Sequence, residues 1–257
     1  MKRYFYLLLP VLMAVLMLGC SKDQQQDSFD TGRTGTGGSL ARFIIVNNYL
    51  YVVDDQNLIA YDITSFRNPK EVSNIPIGFN IETIYNMGDK LFIGSQNAMY
   101  IYSIKNPSRP AYEASATHLR ACDPVVANEA YAYVTVRSSW ANSSACGGNI
   151  NALLVYDIAD MQYPRLVNTL EMYNPHGLAL YGNTLYVCDG TQGLKIFDIS
   201  DTYNSEPQYL KAVETSDNTY FDCIAKDGYL YTMMENGFVI YDISNPHEPR
   251  ELGKILH

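Results

Sequence analysis

Short apolar runs separated by turns recur along the chain from residue 42 to its end. The clearest run of each group reads LYVV at 50–53, LFIG at 91–94, AYVTV at 132–136, LYVC at 185–188 and LYTM at 230–233. Asn- and Gly-containing pairs such as Asn47-Asn48 and Gly182-Asn183 precede these runs, and such pairs tolerate the positive φ angles of hairpin turns. No segment keeps the 3.6-residue apolar spacing of a helix over a useful length, so the pattern predicts strands joined by hairpins.

A tripeptide of the Tyr-Asp-Ile type closes the third strand of each group. It occurs at 61–63, 102–104, 156–158, 197–199 and 241–243, with spacings of 41, 54, 41 and 44 residues. The long interval contains an insertion at residues 137–151. A polar fourth segment follows a proline in each group. Because four short antiparallel strands in roughly 40–45 residues make one propeller blade, we predict an all-β, five-bladed β-propeller of four-stranded antiparallel blades.

Each predicted blade contains its own four strands in sequence order. The blades cover about 39–79, 80–120, 121–174, 175–219 and 220–257. A β-sandwich would not repeat a whole four-strand unit five times.

The residues after each third strand have a structural interpretation. The aspartate of the tripeptide is placed to accept backbone N–H groups from the turn that it begins, as Asx side chains do. An Asn-Pro pair then ends the ladder, at 68–69, 106–107 and 245–246, and a second proline begins the fourth strand at the sheet edge, where a missing donor is least harmful. Ser103 replaces the aspartate in the second blade, so we expect a weaker corner there.

The pentapeptides that lead into these corners resemble the motif for which LVIVD-repeat proteins are named. They are Leu194-Lys195-Ile196-Phe197-Asp198, Phe238-Val239-Ile240-Tyr241-Asp242 and Leu58-Ile59-Ala60-Tyr61-Asp62. The resemblance extends over residues 39–257. It implies an exported bacterial β-propeller, lipid-anchored in many Bacteroides-like members, and it implies no established activity.

The N-terminal segment has the pattern of an export signal. Lys2 and Arg3 precede an apolar run that is short for a membrane span. The end of the run, residues 16–20, resembles the bacterial lipobox, with Met17 in place of the usual leucine. We therefore predict a lipoprotein signal peptide at 1–19 and a flexible tether at 20–38 that begins with lipidated Cys20; the alternative is an ordinary cleaved signal with an incidental cysteine. A lipid anchor predicts attachment to the outer membrane, at either its surface or its periplasmic face.

The acidic balance limits the range of partners. The net charge is −9, and removal of residues 1–19 takes away two basic residues and no acidic one, which gives −11. Such a chain is unsuited to nucleic acid, whose binding depends on Lys and Arg contacts to phosphate, and to anionic lipid through a basic patch. We expect attachment to the membrane through acyl chains, an envelope protein or a glycan as partner, and a monomeric propeller.

Candidate ligand-binding residues come from the starts of the first strands. Aligning the five copies on Leu50, Leu91, Ala132, Leu185 and Leu230 brings together Arg42, Glu82, Asp123, His176 and Asp222. Since loops at the starts of first strands form one face of a propeller, we expect these side chains to converge at the channel mouth. Carboxylates and an imidazole could hold a divalent cation there. The alternative is that they satisfy inner-strand backbone groups and ordered water.

The remaining cysteines divide into two pairs. Cys122 and Cys146 lie in the blade with the insertion, and we predict a disulfide between them because an exported chain permits one. Cys188 and Cys223 fall within apolar strand patterns and are predicted to be buried thiols.

No sequence motif of an enzyme is present. The chain has no nucleophile elbow, P-loop, Rossmann fingerprint or His-Glu-x-x-His. We predict a non-enzymatic binding or scaffolding module of the cell envelope. The alternative is a metal-assisted hydrolase or lyase that uses Glu82, Asp123 and His176 at the channel mouth.

Overall fold

The structure, a computed structural model, describes residues 38–117, 124–138, 147–201, 205–213 and 219–256. The chain divides into two compact units, Met1–Thr31 and Gly32–His257, and every described residue belongs to the second. The predicted signal peptide, the lipidated Cys20, Asp123 and the Cys122–Cys146 disulfide lie outside the described residues.

The described residues form twenty strands in five sheets of four. Blade 1 contains β1 (Phe43–Val46), β2 (Tyr49–Val53), β3 (Asn57–Asp62) and β4 (Lys70–Pro76). Blade 2 contains β5 (Ile81–Met87), β6 (Lys90–Ser95), β7 (Ala98–Ser103) and β8 (Ala111–Thr117). Blade 3 contains β9 (Val125–Ala127), β10 (Tyr131–Ser138), β11 (Gly147–Asp157) and β12 (Arg165–Glu171). Blade 4 contains β13 (Leu178–Tyr181), β14 (Thr184–Cys188), β15 (Leu194–Asp198) and β16 (Gln208–Val213). Blade 5 contains β17 (Tyr220–Lys226), β18 (Tyr229–Met234), β19 (Gly237–Asp242) and β20 (Arg250–Leu256).

Each sheet is antiparallel and built from four consecutive strands, in the order of the sequence. The predicted all-β fold of five four-stranded blades is therefore confirmed, and no strand is exchanged between the first and last blades in the described part of the chain. The described residues contain no helix that is long and apolar enough to cross a membrane.

Four apolar cores hold neighbouring blades together. Between blades 1 and 2, Tyr51 and Leu58 pack against Leu91 and Ile93. The same positions form the cores between blades 2 and 3, blades 3 and 4, and blades 4 and 5. In each case one face of a blade's middle strands meets the opposite face of the next blade, so burial of these residues positions one blade relative to the next.

The tripeptide aspartates hold the corners as predicted. Asp62, Asp157, Asp198 and Asp242 each accept a backbone N–H from the residue two positions later, at 2.8–3.0 Å. In blade 2 the Ser103 hydroxyl accepts the N–H of Lys105 at 3.3 Å, a longer bond. Hydrogen bonds from Thr64 and from Ala159 lower the pKa of Asp62 and of Asp157 below the usual range, which indicates structural carboxylates.

The position of Pro69 differs from the prediction. Asp62 pairs with Lys70 across the sheet, as Asp242 pairs with Arg250, so Pro69 occupies the place of the second proline. Asn68 stands six residues after Asp62, whereas Asn245 stands three after Asp242, so the pair of blade 1 was aligned wrongly by sequence alone. The residue of blade 1 that corresponds to Pro107 and Pro246 is Phe66, since the turn bonds 65–68, 106–109 and 245–248 are equivalent.

Cys188 and Cys223 are free, buried thiols in the core between blades 4 and 5, which confirms the prediction for this pair. Burial, with a hydrogen bond between the two thiols, raises the pKa of Cys223 well above its usual value.

Tyrosine hydroxyls link neighbouring blades across two of the cores. Tyr51 of blade 1 donates to the carbonyl of Pro107 in blade 2 at 2.9 Å. Tyr186, its equivalent in blade 4, donates to the carbonyl of Pro246 in blade 5 at 2.7 Å. Because both rings are fully buried, the hydroxyl needs this partner, and the bond fixes the register of one blade against the corner of the next.

We expect Tyr51→Phe and Tyr186→Phe each to lower the free energy of unfolding by about 1 kcal/mol, because each removes one hydrogen bond between neighbouring blades. Urea unfolding of residues 32–257 measures this change. Tyr163→Phe, at an exposed corner of blade 3, is the control and should be neutral. Unfolding curves of the Tyr51 and Tyr186 variants that coincide with the wild type would contradict the role of the hydroxyls.

Candidate ligand site at the channel mouth

The channel mouth is formed by the starts of the first strands and the ends of the second strands, because each of these hairpins is antiparallel. Arg42 precedes β1, Glu82 lies at the start of β5, His176 precedes β13 and Asp222 lies near the start of β17. A second set lies at or just after the ends of the second strands: Asp55, Gln96, Arg137, Gly190 and Glu235. This set was not predicted from the sequence, although each member stands five residues after the alignment position.

An open depression of about 320 Å³ lies between blades 1 and 2 at the mouth. It is lined by Leu40, Arg42, Asp55, Asn80, Ile81, Glu82, Thr83 and Gln96. The guanidinium of Arg42 is held in place, since its Nη2 donates to the carbonyl of Ile81 at 2.8 Å. The depression therefore offers one cation, two carboxylates and two amides on a single concave surface.

Asn80 shapes the floor of this depression with a left-handed backbone. Its φ is 55°, a region that asparagine visits more readily than most residues. The N–H of Gln96 donates to the carbonyl of Asn80 at 3.2 Å, and that of Ile81 to the carbonyl of Asp55 at 3.1 Å. These bonds tie the second strands of blades 1 and 2 to the same turn, so the depression is built on a fixed backbone.

The imidazole of His176 is buried and enclosed by hydrogen-bonding and aromatic neighbours. Arg137 Nη1 contacts Nδ1 and lies 3.0 Å from Nε2. The amide nitrogen of Asn174 lies 3.2 Å from Nε2, and the Phe221 ring packs edge-on with its centroid 5.1 Å away. Guanidinium and amide N–H groups are donors only, so the ring is arranged as a neutral acceptor.

The charges around this histidine keep it neutral. Burial, together with the positive charge of Arg137, lowers the pKa of His176 from 6.5 to about 4. Burial also lowers the pKa of Arg137, and the negative charge of Glu82 partly offsets that shift. Glu82, Arg137 and His176 thus form one electrostatic group that extends from blade 2 to blade 4.

Asp189 positions the turn that carries His176. Its fully buried carboxylate accepts the N–H groups of Tyr173 and Asn174 at 3.0 and 2.8 Å. Lys195 Nζ lies 2.6 Å from the same carboxylate. The buried charge is therefore both paired and hydrogen-bonded, as burial of a carboxylate requires.

Asp222 lies beside the turn of His176 but has different partners. Its Oδ1 accepts the N–H of Cys223 at 2.9 Å and the Ser39 hydroxyl at 3.3 Å. A methyl group added at Gly177 would lie 1.9 Å from this oxygen, so the close approach of blades 4 and 5 requires glycine. Burial raises the pKa of Asp222 from 3.8 to about 6.

The predicted residues divide into three groups in the structure. Arg42 and Glu82 line one depression, and Glu82 is coupled to His176 through Arg137. Asp222 is engaged with Ser39 and its own backbone, while Asp123 lies outside the described residues. Within the described ranges, no group of three or more His, Cys, Asp and Glu side chains is placed to hold a metal ion. Ligand binding and cation binding at the mouth stay predictions.

Three stretches of the chain match the LVIVD repeat family: residues 37–75, 175–215 and 222–256. They coincide with blades 1, 4 and 5, so the resemblance seen in the pentapeptides is confirmed and the chain contains LVIVD repeats. A comparison with curated proteins found no match.

Solved structures with the same fold include a periplasmic gluconolactonase from Pseudomonas aeruginosa, with a TM-score of 0.60 and 13% identity. They also include apo AztD from Citrobacter koseri (0.58, 12%) and BamB from Moraxella catarrhalis (0.54, 10%). The similarity covers 82%, 86% and 74% of this chain and 69%, 61% and 54% of those proteins. At such identities the likeness shows the β-propeller fold alone.

We expect the imidazole of His176 to titrate with a pKa of about 4 when followed by NMR, because burial and Arg137 both disfavour its charged form. Unfolded histidine titrates near 6.5, so the unfolded chain binds the extra proton first as the pH falls. The stability from neutral His176 is therefore complete above about pH 6.5 and is lost as the pH falls towards 4.

Arg137→Leu should raise the pKa of His176, since it removes the neighbouring positive charge, without restoring 6.5, because burial remains. Arg165→Leu is the control, since Arg165 pairs with the Asp157 corner. A His176 that titrates near 6.5 in the wild type would contradict the buried, neutral arrangement.

Proposed function

We propose that this LVIVD-repeat β-propeller is a binding module anchored by lipid in the cell envelope, and that it binds a carbohydrate group in the depression between blades 1 and 2. The observation that carries the proposal is the composition of that depression. A fixed guanidinium, two carboxylates and two amides surround an open, concave floor. Such planar polar groups bond pairs of neighbouring hydroxyls, which is the pattern that sugars present.

The size and openness of the depression support a terminal or side-chain sugar rather than an enclosed small molecule. Its volume of about 320 Å³ is at the low end of ligand sites. Leu40 and Ile81, which line it, supply apolar surface for the C–H face of a sugar ring. The two charge signs at the floor disfavour ligands of high charge of either sign.

The buried groups near the mouth support binding more than catalysis. A general base must reach its substrate and hold a pKa near the working pH. His176 is buried against Arg137 and Asn174, and its pKa is about 4. Asp222, whose pKa is about 6, is enclosed by Ser39 and Gly177. Both groups stabilise the mouth, and Glu82 is left as the acidic residue of the alternative, a hydrolase or lyase.

The anchor rests on the N-terminal sequence. Cys20 follows a short apolar run and Gly19, and residues 20–38 are polar, as a tether between membrane and domain requires. The acidic net charge disfavours attachment to anionic lipid through a basic patch, so acyl chains on Cys20 would supply the attachment to the outer membrane.

A glycan microarray carrying hexose, N-acetylhexosamine and uronic acid oligomers, probed with residues 32–257, tests the carbohydrate site. We expect retention of at least one class and loss of about tenfold or more in affinity for Glu82→Gln, because the substitution removes a charged acceptor. Glu71→Gln, an exposed residue of β4, is the control and should bind as the wild type does.

Two outcomes would contradict this site. Absence of retention on every glycan class would remove carbohydrate as the ligand. Release of new reducing ends with time, abolished in Glu82→Gln, would show the hydrolase or lyase instead of a binding module.

The anchor has its own test. We expect the mature protein to carry a diacylglycerol mass at an N-terminal Cys20 and to remain with the membrane fraction. Cys20→Ser should lose both the lipid mass and membrane association. A wild-type protein that is released in soluble form without a lipid mass would contradict the anchor.

A further inference from the structure

One face of blade 5 exposes a continuous set of large apolar side chains. We define the blade-5 face as Tyr231, Met233, Phe238 and Ile255, which are 41%, 38%, 52% and 71% exposed. They lie on adjacent strands, since Met233 pairs with Phe238 and Phe238 with Ile255. Strand β18 consequently alternates between exposed and buried residues, whereas β14 of blade 4 is buried throughout.

The equivalent residues of the other four blades are buried in cores. The ring that corresponds to Tyr231 is Tyr51, Phe92, Tyr133 or Tyr186, and each of these is buried. The residue that corresponds to Phe238 is Leu58, Met99, Leu153 or Leu194, all buried. On the fourth strands, Ile75, Ala116, Leu170 and Val213 pack against the same cores. The blade-5 face therefore has the composition of one half of an interblade core.

Blade 1 presents the other half. We define the blade-1 face as Phe43, Leu50, Val52 and Tyr61; Phe43 is 61% exposed and the other three are half-buried. Their equivalents in blade 2 are Ile84, Leu91, Ile93 and Tyr102, all buried against blade 1. The chain thus makes four copies of one interface and leaves the two halves of a fifth copy exposed.

We propose that the blade-5 face of one chain binds the blade-1 face of a second copy, so that the protein associates head to tail. The blade-1 face of the second copy has the same kind of residues that cover the equivalent surface of blades 1 to 4 within the chain. At their observed exposures, Tyr231, Met233 and Phe238, with side chains of about 200 Å² each, give roughly 260 Å² of exposed surface.

Residues 38–39 lie beside blade 5. Their position favours binding of the blade-5 face to a second copy over its binding to blade 1 of the same chain. A methyl group at Gly38 would lie 2.6 Å from Oδ2 of Asp222 and 3.1 Å from Ile224, so this segment lies directly on β17. Ser39 bonds both Asp222 and the N–H of Leu178. The inner edge beside blade 5 is thus occupied by residues 38–39, and blade 1 itself does not bury the middle strands of blade 5.

The repeat also predicts one specific bond across the new interface. Tyr51 and Tyr186 donate to the carbonyls of Pro107 and Pro246, at the corner of the following blade. In blade 1 the corresponding residue is Phe66. Tyr231 is the equivalent residue in blade 5, and its ring lies 6.5 Å from that of Tyr229, as Tyr51 lies 6.3 Å from Tyr49, although the ring planes are inclined by 54° and 22°. The Tyr231 hydroxyl would donate to the Phe66 carbonyl of the second copy.

Sedimentation velocity of residues 32–257, over a wide range of protein concentration, tests the proposal. We expect dimers or longer assemblies in the wild type, in place of the monomer predicted from the sequence. Phe238→Asp and Phe43→Asp should each weaken association by about tenfold or more, because each places a charge in an apolar contact. Tyr163→Asp, exposed at a corner of blade 3, is the control and should associate as the wild type does.

Mixing the two face variants separates head-to-tail association from other modes. Each variant retains one intact face, so an equimolar mixture should form a dimer of one of each and no larger assembly. Tyr231→Phe, which keeps the ring and removes only the donor, should weaken wild-type association several-fold without affecting folding. A wild type that stays monomeric at every concentration would overturn the proposal, as would a Phe43→Asp variant that dimerises with unchanged affinity on its own.

Discussion

Packing of one blade's middle strands against the next is the interaction on which the rest of this structure depends. Strands within a blade are joined by backbone bonds, but these bonds do not fix one blade relative to another. The four apolar cores do so, with Tyr51 and Tyr186 adding a directional bond to the corner of the following blade. Because burial of apolar area is non-directional, the hydroxyl bonds help to fix the register of the two interfaces that contain them.

The channel mouth follows from this packing. Once the blades are in contact, the starts of their first strands are brought together, and polar side chains there lose water. Hydrogen bonds and ion pairs within the protein offset this loss of hydration. The pairs are Asp189 with Lys195, His176 with Arg137, and Asp222 with Ser39. The depression between blades 1 and 2 stays open, and Asn80, with its left-handed backbone, is one of the residues that line it. The candidate binding depression and the residues that stabilise the mouth thus lie next to each other on one surface.

Much of the fold could be read from the sequence because each blade repeats its own local signals. The corner aspartates and the blade order were predicted correctly, whereas Pro69 was placed wrongly because the Asn-Pro pair of blade 1 lies later within a corner of the same length. The site was harder to predict. Arg42 and Glu82 came from the first strands, but Arg137 was missed, although it stands at a fixed offset of five residues from the alignment position Ala132. Asp189 gave no such signal, since its partners in the Tyr173–Asn174 turn come from the preceding loop.

The sequence by itself determined the local units: which segments are strands, where the hairpins turn and which carboxylates hold corners. These properties depend on residues within a few positions of each other, through alternation, positive φ and Asx bonding. Only the tertiary structure decided which apolar faces are covered and which protonation states the mouth residues adopt. The residues of the blade-5 face carry the same pattern as their buried equivalents, so their exposure depends on neighbours distant in sequence. The neutral His176 depends likewise on Arg137 of another blade, because burial and charge act through space.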